Sequence, residues 1–152
     1  MKRAFTMIEL VFVIVVIGIL ATIAIPKFSA TRDDATLTKA KTTLASLRSA
    51  LSQEVQRRQM QGIYTAVTNL GGSTTAGSYI FDYFDGNSNN ERVLEYPPKS
   101  CKNSSATGCW KKTGNNTYDY ILPAAVGGKA TISVQNNRID CSPASKCKYL
   151  ER

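Results

Sequence analysis

From Leu10 to Ile25 sixteen consecutive residues carry no ionisable group, and between Phe5 and Ile25 the only charge is Glu9. At ~1.5 Å per residue a helix over this run is about 30 Å long, enough to cross a bilayer. The pattern then changes. Pro26 has no backbone N–H and bends or interrupts a helix without having to end it. Beyond it Leu37, Ala40, Leu44, Leu47, Leu51 and Val55 recur at spacings of three and four, the stripe of an amphipathic helix. Thr38, Lys41, Arg48 and Gln53 fill the other faces. The pattern predicts one helix from about Thr6 to Gln59, apolar all round in its first half and one-sided in its second.

Gly62 and the segment from Gly71 to Ser78 break the helical pattern and read as loop. Tyr79 to Phe84 is aromatic and ends on the turn Asp85-Gly86-Asn87, and Arg92 to Tyr96 is a short extended candidate stopped by Pro97-Pro98. The last third alternates. Trp110 to Lys112, Tyr118 to Leu122, Ala130 to Gln135 and Arg138 to Cys141 read as short strands separated by Gly114-Asn115-Asn116 and Asn136-Asn137 turns. An antiparallel sheet laid on the leucine stripe follows, its apolar side including Tyr118, Tyr120, Ile132, Val134 and Ile139. The fold class is α+β.

Net charge is +8, unevenly spread. Phe5 to Gln59 carries seven basic and four acidic residues, Met60 to Pro98 one and four, and Lys99 to Arg152 nine and three. A carboxylate such as Glu9 inside an apolar run costs about 2.5 to 3.5 kcal/mol on insertion scales and marks a functional site in search of a partner. A cleaved secretory signal is disfavoured, because the apolar run exceeds the usual ~7 to 15 residues and no small-x-small cleavage site follows it.

At these residues the chain resembles the type IV pilins and their pseudopilin relatives in type II secretion and DNA-uptake machines. Met1-Lys2-Arg3-Ala4 is similar to a short basic prepilin leader, Phe5 to the first mature residue, and Glu9 to the acidic residue five places in. Gly18 and Pro26 stand where such stalk helices carry a glycine and a proline. The family usually has glycine before the cut, where this chain has Ala4. The resemblance covers the first thirty residues. It implies cleavage between Ala4 and Phe5 and N-methylation of Phe5 by a prepilin peptidase/N-methyltransferase. It further implies pairing of Glu9 with the Phe5 amine of an adjacent subunit, and helix flexibility at Gly18 and Pro26. The implied partners are like or mixed pilin subunits with an inner-membrane assembly platform and ATPase. The implied location is an inner-membrane single-pass precursor with a periplasmic C-terminal domain, assembled into a periplasmic or surface filament.

The expected organisation is therefore a leader (1–4), a transmembrane and polymerisation helix (5–26), an amphipathic half-helix (27–60) and an extracytoplasmic head (61–152). Four cysteines permit three connectivities, of which Cys101 with Cys109 and Cys141 with Cys147 are the simplest. Such bridges suit an oxidising compartment and a small head. CxxC spacing is absent, so no zinc site is expected. The chain has no histidine, which removes Ser-His and Cys-His nucleophilic pairs. Neither enzyme activity nor a cofactor is expected. Gly71-Gly72-Ser73 is not followed by Gly-Lys-Ser/Thr, which argues against a nucleotide loop, and Asp82, Asp85 and Asn87 do not complete a calcium loop.

One rival reading belongs to another class: a monomeric, membrane-anchored binding protein whose basic sheet captures DNA or an acidic ligand. Lys111, Lys112, Lys146 and Lys148, interleaved with Trp110 and nearby tyrosines, are the residues for that role, neutralising phosphates and stacking bases. The plainer account is that this basic end solvates the surface or meets the acidic segment of a neighbouring subunit. Glu9 separates the two classes, because a mere anchor has no use for a carboxylate.

Overall fold

The computed structural model describes residues 5–151, with the backbone alone over 25–30. Helix α1 runs Met7–Met60, close to the span predicted. The chain divides into two compact units at Asp34/Ala35, and α1 contributes to both.

In the first unit the described side chains from Met7 to Ile23 are almost all exposed. Val11-Phe12-Val13-Ile14-Val15-Val16-Ile17 is rich in β-branched residues, which in water favour a strand. In hydrocarbon the order reverses, because an isolated segment must satisfy every backbone group internally and only a helix does so. The one hydroxyl near the end of the run is satisfied in the same way, with Thr22 Oγ1 donating to the Ile19 carbonyl at 2.7 Å.

In the second unit the leucine stripe is the floor of the core. Ala40, Leu44, Leu47 and Leu51 are buried, and Leu37 and Val55 pack at its margin. Above them lies a four-stranded antiparallel sheet in the order β1-β2-β3-β4, formed by Cys109–Lys112, Thr117–Ile121, Lys129–Gln135 and Arg138–Ser142. Its register pairs Trp110 with Tyr120, Tyr118 with Ile132, and Val134 with Ile139. Successive side chains alternate across a strand, so these residues share the face turned to the helix, and all of them are buried. Phe81 and Trp110 meet edge to face at 5.4 Å, and Phe81 lies 4.9 Å from Tyr118.

Two segments differ from the sequence expectation. Arg92 to Tyr96 forms no ladder; the aromatic stretch meets the segment after it through isolated bridges, Tyr79 with Lys99 and Tyr83 with Arg92, and scattered backbone bonds such as Val93 N–H to the Asp82 carbonyl at 2.8 Å. Phe81 and Asp85 have positive φ, 62° and 57°, which turns the backbone out of any extended run. Burial of the Phe81 ring against Trp110 and Tyr118 offsets that local strain. The C-terminal segment, for which the sequence pattern predicts no element, is a helix, α2 (Ala144–Glu151). Pro143 stands just before it and its carbonyl accepts from the N–H groups of Lys146 and Cys147, so proline ends β4 and opens α2.

Candidate functional site

Thr6 immediately precedes α1, and its carbonyl accepts the Leu10 N–H at 3.2 Å, which makes it the N-cap. Its hydroxyl accepts the Glu9 N–H at 3.3 Å, and Glu9 Oε2 in turn accepts the Thr6 N–H at 3.5 Å. This reciprocal pair is a capping box. Sequence reasoning singled out Glu9 and passed over Thr6, although threonine three residues before glutamate at the head of an apolar run was the available signal. Glu9 is the sole charge in Met7–Ala24, eighteen residues with a mean hydropathy of 2.8 and none of them buried. So large an exposed apolar surface needs lipid or other helices to cover it.

Of the other N-terminal residues, Ala4 and the leader lie outside the described residues. Phe5 is 77% exposed. α1 is continuous through Gly18, where a Cβ would meet nothing within 4 Å. It is continuous through position 26 as well, where the Pro26 side chain is outside the description.

The basic set does not converge on one surface. Trp110 is 4% exposed and packs in the core with Tyr118 and Tyr120, leaving those rings no face for a base. Lys112 is buried; its Nζ donates to the Gly72 carbonyl at 3.0 Å and sits 5.7 Å from the Tyr118 ring centre. Burial pulls its pKa below the ordinary lysine value, partly opposed by the charge of Asp82. Lys146 Nζ donates to the carbonyls of Gly127 at 2.8 Å and Val126 at 3.3 Å, pinning the β2–β3 turn. Lys111 is exposed and alternation places it on the opposite sheet face from Trp110, while Lys148 lies 5.2 Å from the Tyr149 ring.

Two acids of the middle segment, Asp82 and Asp85, serve the fold, as does Glu54 of α1. Asp82 Oδ1 accepts from the N–H groups of Gly72 at 2.6 Å and Tyr83 at 2.8 Å. Asp85 accepts from Thr68 N–H at 2.6 Å, Thr68 Oγ1 at 2.8 Å and Arg58 at 2.7 Å. Arg58 also donates to Glu54 at 2.7 Å, and Arg57 reaches both Glu54 oxygens at 2.8 Å. Burial alone would push both carboxyls up. At Glu54 the bonds and charges of Arg57 and Arg58 outweigh it, and at Asp85 those of Thr68 and Arg58 do, so each sits below the usual carboxylate value.

Cys101 is bonded to Cys109 and Cys141 to Cys147, with Cα separations of 5.4 and 5.9 Å. Each bridge closes a short loop beside the sheet. Among the described residues no three metal-ligating side chains come together.

Residues 1–25 match the prokaryotic N-terminal methylation motif. The chain is also similar to the type IV narrow pilus major component PilA5 of Thermus thermophilus, with 40% identity over 79 residues. That match covers 50% of this chain and 66% of the relative, just under two thirds of the relative's length. No solved structure matches the chain. A motif of N-terminal processing at the start of α1, an α+β head and similarity to a pilin together support a type IV pilin family for the chain.

Proposed function

We propose that this chain is a structural subunit of a type IV pilus-like filament. In this reading a prepilin peptidase cuts between Ala4 and Phe5, the new Phe5 amine is N-methylated, and the subunit polymerises through residues 5–26. Residues 27–60 join that helix to an extracytoplasmic head, 61–152. The subunit waits in the inner membrane as a single-pass protein until an assembly platform and its ATPase draw it into the filament. Similarity to a pilus major component favours a surface pilus over a secretion or DNA-uptake pseudopilus.

The observation that carries the reading is Glu9, one carboxylate in an otherwise uncharged span with no buried residue. In the filament it pairs with the Phe5 amine of the adjacent subunit, so that two charges costly alone offset each other and fix register. The rest of the span passes from lipid into a bundle of like helices with little change in apolar environment.

Glu9→Leu removes the charge and makes the span more apolar, so insertion is normal or better. The variant is expected to accumulate in the membrane and stay out of sheared filaments, with mass spectrometry confirming that its N-terminus is still Phe5. Polymerisation equal to wild type would refute the charge pair. A mature protein beginning at Met1 would refute processing at Phe5.

A further inference from the structure

The six residues Phe5-Thr6-Met7-Ile8-Glu9-Leu10 fill successive positions of a helix start. Thr6 is the N-cap, Glu9 the third helical residue and Leu10 the fourth, and Phe5 precedes the cap. Threonine and glutamate at these positions form the capping box, and an apolar pair before the cap and at the fourth position occupies the sites of a hydrophobic staple. The stretch that implies processing is thus also a complete helix-start signal, with the cut placed one residue ahead of the cap.

The consequence concerns the carboxylate. A helix start leaves four backbone N–H groups without helical partners, and the box satisfies two of them, those of Thr6 and Glu9. In water such a contact is one among many, but where no water is at hand an unmatched polar group is costly. Glu9 therefore already has a partner inside its own chain before any neighbour arrives. That partner is weak. The bond to the Thr6 N–H is 3.5 Å long and its donor is neutral, whereas a cationic amine offers a charge-assisted bond about twice as strong.

We propose that Thr6 is a positioning residue for assembly. Its N–H holds the Glu9 carboxylate while its hydroxyl, accepting the Glu9 N–H, fixes the backbone that aims that carboxylate at the helix start; incorporation exchanges the neutral N–H donor for the Phe5 amine of the adjoining copy. The inference rests on the filament reading above. The hold shelters the carboxylate from hydrocarbon, and its weakness leaves the carboxylate free to change partner.

The test uses the full chain, processed and held in phospholipid vesicles, and compares Thr6→Val, Thr6→Ser, Glu9→Gln and Glu9→Leu. Two quantities are read: amide hydrogen exchange at Thr6 and Glu9 before assembly, and the ratio of filament to membrane-bound protein in cells, with N-terminal mass checked for each. Valine matches threonine in shape without the acceptor, so Thr6→Val is expected to speed exchange at Glu9 about fivefold, the usual worth of a lost cap, and to lower the filament ratio. Serine restores both. Glutamine also serves in a capping box, so Glu9→Gln exchanges like wild type yet stays out of filaments. Wild-type exchange and assembly in Thr6→Val, or failure of serine to rescue, would overturn the proposal. Glu9→Gln exchanging as fast as Glu9→Leu would overturn it while leaving the charge pair intact. Glu9→Gln entering filaments normally would overturn the charge pair, and the exchange of partners with it.

Discussion

Arg58→Met tests how the end of α1 is fastened to the loops after it. Methionine keeps much of the buried stem and removes the guanidinium that joins Glu54 to Asp85. Losing one partner of a buried ion pair ordinarily costs about 3 to 5 kcal/mol. Here Glu54, 3% exposed, keeps both bonds from Arg57, and Asp85 keeps its two from Thr68. With those donors retained, a loss of about 2 kcal/mol is expected, a fall in Tm of about 8 °C for a unit of this size.

The assay is thermal unfolding of the full chain in detergent, followed through Trp110 in the aromatic cluster. A second arm varies pH. Glu54 and Asp85 have pKa values below their ordinary ones in the folded protein, so their contribution is complete above the unfolded values and is lost as pH falls through the folded ones, from about pH 4 downward. The gap between wild type and Arg58→Met should therefore hold from pH 7 to about 4 and narrow below it. An unchanged Tm at pH 7, or a gap that persists undiminished in acid, would refute the network's role.

Gly72 has φ +83°, and a Cβ there would lie 2.8 Å from the Ile80 Cα; Gly72→Ala is expected to cost about 3 kcal/mol. Gly77 has φ +75° with nothing within 4 Å, so Gly77→Ala should cost only ~1 kcal/mol, and equal urea midpoints for the two would remove the close-approach argument. Replacing Cys141 and Cys147 together with serine should lower stability by about 2 to 3 kcal/mol on the loop-entropy model and free α2 from β4. Non-reducing peptide maps check the pairing directly, and a Cys101-to-Cys147 fragment would contradict it.

The elements that could be read from sequence are those whose period matches one buried face. Leu44, Leu47 and Leu51 repeat at helical spacing, and Tyr118, Tyr120, Ile132 and Val134 alternate at strand spacing. Segment 79–96 was hidden because its geometry is set by contacts distant in sequence: Phe81 takes a left-handed backbone to reach Trp110 and Tyr118, and no local pattern encodes that. The helix after Pro143 is only eight residues long, and Ala-Ser-Lys-Cys-Lys has little amphipathic pattern of its own. At the basic end, composition proposed a surface but could not say which way each side chain points. Register put Trp110 and Lys112 inward and Lys111 outward. Thr6 was legible in the Thr-x-x-Glu spacing ahead of an apolar run.

The burial of acids in the head has an effect beyond stability. Residues 35–152 hold fifteen basic and eight acidic side chains; Glu54 and Asp119 are enclosed, and Asp82 and Asp85 turn toward backbone amides and Arg58. Lys99, Lys102, Lys111, Arg138 and Lys148 are exposed, against Glu91, Glu95, Asp140 and Glu151 among the acids, so the head keeps a positive excess. In the filament proposed above, such heads would line up as a cationic rod. At low ionic strength neighbouring rods repel over tens of ångströms, and at ~0.15 M salt over only about 8 Å. On the filament reading proposed above, salt would then govern whether neighbouring filaments stay apart or come side by side.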